Sequence, residues 1–288
     1  VKRAVLLLSL LAAAGCPPPK QVDIPVECIQ EERVAEVDLN GESGTGVAWL
    51  GGIRLLERVD RKNGVTQGTL GASFYDVSGF RTEYGDPLDF GATCIGITGQ
   101  PSQTGMRSAL SVDSVQVDGI SNGPVTLSAA DGGPLSLGPL PTLYAGGPVT
   151  VTVAGTDGGF GNVAFSPLTP PTRIDVTEPD LSGSFKVGDE GLTLKWAPAE
   201  GSTQLGIDLV VGSTVTDRAV ISCVVKDDGC FKVEQVLVDW LRGGGSGAPI
   251  SVFLRRSVAE TRLVESPVDG GAGASVQLTS EIKGEVQP

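Results

Sequence analysis

The chain has 288 residues, 41 of them glycine and 19 proline, a formal net charge of −13 and no histidine. Without histidine there is no Ser-His-Asp or Cys-His nucleophile system and no histidine-ligated metal. The acidic balance argues against nucleic acid, which proteins hold through Lys and Arg. Carboxylate pairs, Lys, Tyr and oxygen-ligated calcium remain open, and nothing in the composition implies a cofactor.

In chain order, Lys2 and Arg3 come first and are followed by the apolar run Ala4 to Ala14. That run is too short to span a bilayer, which takes about 20 residues. With Ala13, Ala14 and Gly15 leading into Cys16, residues 1–15 read as a signal peptide. The Ala-Ala-Gly-Cys ending resembles the lipobox of bacterial lipoproteins, over residues 1–16 only, with Ala13 where Leu is commonest. The resemblance implies cleavage before Cys16 and lipidation of its thiol. It also implies outer-membrane residence, because Pro17 is not the Asp that favours inner-membrane retention. Residues 16–32 then form a lipidated tether, and Pro17-Pro18-Pro19 starts it in extended polyproline II. No later stretch is long and apolar enough to predict a membrane helix.

Residues 33–165 predict an antiparallel β domain. Ala35, Val37 and Leu39 alternate with acids, Val115 and Val117 flank Gln116, and Val149, Val151 and Val153 alternate with threonines. Asp118-Gly119, Asn122-Gly123-Pro124, Asp131-Gly132-Gly133-Pro134 and Asp157-Gly158-Gly159 punctuate them as turns. Trp49, flanked by glycines, reads as a core strand residue.

Residues 166–172, Ser-Pro-Leu-Thr-Pro-Pro-Thr, predict a linker into a second β domain over 173–288. Its strands are expected around Ile174, at Leu192–Trp196, at Ile207–Val211, at Val220–Val225, and around Val252, Leu263 and Val276. Val233, Val236, Leu237, Trp240 and Leu241 recur at helical spacing and predict one short amphipathic helix. Leu192-Thr193-Leu194-Lys195-Trp196-Ala197-Pro198 resembles the tryptophan strand of fibronectin type III domains. The whole order resembles Gram-negative cell-surface lipoproteins with a C-terminal immunoglobulin-like domain. The expected fold class is therefore all-β: two antiparallel β domains, the second an Ig/fibronectin-III-like sandwich with one short helix.

Apart from Cys16 there are Cys28, Cys94, Cys223 and Cys230. In an exported protein this even count predicts two disulfides. Two cysteines fall in each half, which favours Cys28–Cys94 and Cys223–Cys230. Asp227-Asp228-Gly229, between the latter two, reads as a hairpin turn.

The richest candidate site is the run Phe74-Tyr75-Asp76, Phe80, Glu83-Tyr84, Asp86 and Asp89-Phe90. Aromatic faces can stack on sugar CH groups while carboxylates accept hydroxyl hydrogen bonds. Phe74, Tyr75, Asp76, Phe80, Glu83 and Tyr84 are therefore the candidate ligand-binding residues. The expected role is a non-enzymatic structural or binding module, anchored to the membrane by its N-terminal lipid, with a glycan or envelope protein as partner and no metal. The alternatives are a glycan-active enzyme using carboxylates from residues 76–89, and a scaffold subunit of an envelope assembly.

Overall fold

The computed structural model describes residues 28, 48–78, 81–83, 88–90, 93–99, 102–105, 108–128, 135–202, 204–212, 218–244, 247–264 and 271–288. The chain is all-β with one short helix among these residues, as its patterning predicts.

A long hairpin opens the described fold: β1 (Trp49–Asp60) and β2 (Val65–Asp76), twelve residues each. Its turn is shaped by Asp60, whose carboxylate accepts the backbone N–H groups of Lys62 and Asn63, and by Gly64 at φ 64°. Five short strands follow: β3 (Arg81–Glu83), β4 (Leu88–Asp89), β5 (Cys94–Thr98), β6 (Ser102–Thr104) and β7 (Ser108–Ala109). Then come β8 (Val112–Asp118), β9 (Val125–Leu127), β10 (Leu135–Leu140), β11 (Thr150–Gly155) and β12 (Val163–Ala164). Beyond the proline-rich crossing lie β13 (Val176–Glu178), β14 (Ser182–Lys186), β15 (Leu192–Trp196), β16 (Gln204–Val211), β17 (Ala219–Lys226) and β18 (Cys230–Val233). Helix α1 (Gln235–Gly244), β19 (Ile250–Val264) and β20 (Ala272–Gln287) complete the fold. The predicted helix thus forms, and the strands expected around Val252 and Leu263 are one strand. The alternation at Ala35–Leu39 lies outside the described residues.

The main sheet has the order β10-β2-β1-β20-β19-β16-β17-β5-β4, with β14 also on β20 and β7 on β2. Most pairs are antiparallel, but β1 and β14 run parallel to β20. Two smaller sheets, β12-β11-β8-β9 and β13-β15-β18, contribute to two separate cores. In the first core, Ile53, Leu55, Leu70, Phe74, Val276 and Leu278 of the main sheet meet Val115, Val117, Val151 and Val153. In the second, Ile207, Ile221, Val252 and Leu254 meet Leu192, Trp196 and Phe231, with Leu237, Val238 and Leu241 of α1. Residues of one parity face one side of a strand. Val276 and Leu278 enter the first core and Ile282 and Val286 the second, so both cores lie on the same face of the main sheet.

The chain moves from one small sheet to the other through residues 166–172, but the main sheet does not divide there. From the segment expected as the first domain, β1 pairs along its whole length with β20, and β5 pairs with β17. Periodicity identifies a strand and its buried face, but carries nothing about which strand lies beside it.

Candidate functional site

The disulfides correct the expected pairing. Cys28 bonds to Cys230 and Cys94 to Cys223, with Cα–Cα distances of 5.3 and 4.1 Å. Closeness in sequence favoured the short loop, whereas strand register decides the matter. Cys94 and Cys223 are direct cross-strand partners of β5 and β17. Cys230 lies on β18, whose Lys232 N–H donates to the Cys28 carbonyl at 3.0 Å. Asp227 also differs from a plain turn residue, because its carboxylate is buried and fully engaged.

The aromatic and acidic candidates separate in space. Phe74 is a core residue, its ring 4.9 Å from that of Phe160. Tyr75, the next residue, points to the opposite face. There it belongs to a cross-strand row Ala109–Tyr75–Leu50–Gly273–Leu263 spanning five strands. Asp76 accepts hydrogen bonds from the Ser78 hydroxyl at 2.7 Å and its backbone N–H at 3.0 Å. These bonds, with a further one from Trp49, hold its carboxyl below the usual aspartate range. Glu83 pairs with Ser102 through the β3 backbone. Phe80 and Tyr84 lie outside the described residues, as does Cys16.

The most heavily engaged polar groups instead form a row across the main sheet. Glu57 of β1 is the register partner of Ser280 on β20, which in turn partners Arg256 on β19. All three are buried and sit where one core ends and the other begins. The Glu57 carboxylate accepts the backbone N–H groups of Leu143 and Tyr144 at 2.8 and 3.3 Å, and Arg173 Nε at 2.7 Å. Burial works to raise its pKa, but these bonds and the Arg173 charge prevail and hold it below the ordinary glutamate value.

Arg256 grips Asp227 with Nε and Nη2 at 2.6 and 2.9 Å, and donates to the carbonyls of Arg173 and Ala197 at 3.1 and 2.6 Å. Trp196 Nε1 donates to the same Asp227 at 2.7 Å. Burial again opposes ionisation, and the bonds from Arg256, Ser202 and Trp196 outweigh it, so Asp227 sits low. Ser166 is likewise fastened, its N–H donating to Glu260 at 2.9 Å. The expected linker is thus fastened to the main sheet at both ends. The sequence signal for this row was a charged residue at an inward register position, Glu57 after Leu55 and Arg256 after Leu254.

On the outer face, Arg58 and Arg255 both pair with Glu281, and Arg255 also with Asp208. Both guanidinium groups lie over the Phe253 ring, at 5.8 and 5.9 Å. Beyond this cluster the face carries exposed Ser257, Ala259 and Thr261 along β19 and, farther out, exposed Leu263 and Leu50. A groove of about 600 Å³ runs between the outer side of β1–β2 and β10, walled by Arg54, Leu56, Gln67, Thr69 and Leu137–Pro139. A second cleft, of about 310 Å³, lies in the other half beside Cys28, Phe90, Phe231, Lys232 and Leu237. Above it the Phe90 and Trp240 rings meet edge to face at 5.3 Å. Gly96 lies beneath them, where a Cβ would fall 2.3 Å from Phe90.

Among the described residues no group of three or more Asp, Glu, Cys or His is placed to hold a metal. No helix among them is long and apolar enough to cross a membrane. The sequence matches no protein-family model and no curated protein.

Proposed function

We propose that the protein is an outer-membrane lipoprotein, held by lipid on Cys16, that acts as a non-enzymatic structural or binding module for a glycan or an envelope protein. The observation that carries this reading is the outer face of the main sheet. It is broad, and Ser257, Ala259, Thr261 and Leu263 along β19 are exposed on it. It includes the groove beside Arg54 and the Tyr75–Leu50–Leu263 row. Behind it, the buried Asp227–Arg256 ion pair, the Glu57–Arg173 pair and two disulfides tie the strands into one frame. A stiff surface backed in this way loses little freedom when it binds. The buried Trp196 strand supports an Ig/fibronectin-III-like reading of the second half.

Two measurements test the proposal. Cys16→Ala should move the protein from the membrane to the soluble fraction; continued membrane residence would remove the lipid anchor from the reading. On a glycan array, Tyr75→Ala and Arg54→Ala should each weaken retention while leaving the fold intact. Unchanged retention in both would remove the glycan, and cross-linking on intact cells would then identify an envelope protein partner.

A further inference from the structure

Resting on the lipid-anchor reading above, we infer that the Cys28–Cys230 disulfide decides which end of the protein faces the membrane. The half built over the second core, with α1, is mounted toward the lipid. The half carrying the groove and the Tyr75–Leu50–Leu263 row points away.

The argument is one of chain length and position. Followed along the backbone alone, the anchor leads from Cys16 to β1. The first residue of β1, Trp49, pairs with Ala272 at the first-core end of β20. A tether from residue 16 to residue 48 could reach about 110 Å at full extension and would join the fold at that end. The disulfide changes both quantities. Cys28 is only twelve residues after Cys16, which limits the reach to about 40 Å. It is also fastened to the other half of the molecule: its sulfur to Cys230 on β18, its carbonyl to the Lys232 N–H, its side chain in the cleft with Phe90, Phe231 and Leu237. Phe231 belongs to the second core.

The two ends are well separated. β20 has 16 residues and spans about 50 Å, with Ala272 packed in the first core and Val286 in the second. That length exceeds the short tether, so the far row cannot approach the bilayer as readily as the near end. Exposed Val236 of α1 is adjacent to the cleft residue Gln235, while exposed Leu263 pairs with Gly273 at the distant end.

The test uses the full lipidated protein in vesicles whose headgroups carry an energy-transfer acceptor. A genetically encoded donor is placed at Val236 or at Leu263. Several-fold greater transfer from position 236 is expected. In Cys28→Ser/Cys230→Ser the tether lengthens and re-enters at Trp49, so the difference should collapse or invert. A second donor pair, Phe185 on β14 near the end of β20 and Leu50 on β1, repeats the comparison without touching a cysteine. Phe185 should transfer more. Equal transfer from near and far sites in protein that floats with the vesicles overturns the orientation alone. Failure of the wild type to float overturns the lipid reading and the orientation together.

Discussion

Glu57 and Arg256 occupy one row of the main sheet, either side of Ser280, and both reach upward to Arg173, Glu57 to its guanidinium and Arg256 to its carbonyl. One residue of the crossing segment is therefore held from two strands. The partnership of Arg256 with Asp227 is the more buried, with side chains 3% and 0% exposed. Arg256→Met should destabilise the protein by about 3–5 kcal/mol, because it strands a buried carboxylate. Adding Asp227→Asn should recover part of the loss. Urea unfolding of the two single variants and the double variant measures the coupling, and additive losses would show that the pair does not act as a unit.

The same row sets a pH dependence. Asp227 and Glu57 both have folded pKa values below their unfolded ones. Their stabilisation is present above the unfolded carboxylate values, about 4, and is lost as pH falls through the lower folded values. Unfolding free energy should hold level from neutral pH to about 4.5 and drop below about 4. Asp227→Asn should flatten that drop, and an unchanged acid limb in this variant would place the sensitivity elsewhere.

Tyr144 supplies a test at the alkaline end. Its hydroxyl donates to the Leu55 carbonyl at 2.7 Å and accepts the Thr279 N–H at 2.9 Å, so it bridges β1 and β20. Burial pushes its pKa well above the ordinary tyrosine value. Its contribution is full below about pH 10, and is lost as pH rises toward the folded value. Tyr144→Phe leaves a buried N–H short of its partner and should cost about 1–3 kcal/mol at neutral pH. Thermal unfolding at pH 7 and pH 10.5 should show the wild type losing stability between the two, and the Phe variant losing less.

The disulfide pairing is directly measurable. A non-reducing digest should give the Cys28 peptide joined to the Cys230 peptide, and Cys94 joined to Cys223. Recovery of a Cys223–Cys230 peptide from native protein would refute the register described above. Cys94 and Cys223 are 129 residues apart, a separation for which chain entropy alone assigns a crosslink about 5 kcal/mol. Cys94→Ala/Cys223→Ala should therefore lower the denaturation midpoint substantially, and much of the loss should appear in β5 and the edge strand β4 beside it.

Strand content and the helix were legible because they depend on local spacing. Leu192–Trp196 alternates and is buried at Leu192, Leu194 and Trp196, and Val233 to Leu241 repeats at helical spacing close to α1. What lay beyond reach was pairing. Nothing near Trp49 in the sequence points to Ala272, and nothing near Cys94 points to Cys223, yet each pair is adjacent in the sheet. The cluster at residues 74–90 misled for a related reason. Alternation places Phe74 and Tyr75 on opposite faces, so sequence density did not become spatial density. The inward charges Glu57 and Arg256 could have been found by asking which strand positions break the apolar parity.

The central place of β20 has a consequence in time. It pairs with β1, β14 and β19 and contributes to both cores, yet it follows every other described strand in the order of synthesis. A chain synthesised from its N-terminus delivers β1 with one long edge still unpaired. Neither core can close until residues 272–287 arrive. Folding is thereby deferred until the last described strand has been made, which leaves the β1 edge exposed to aggregation until then.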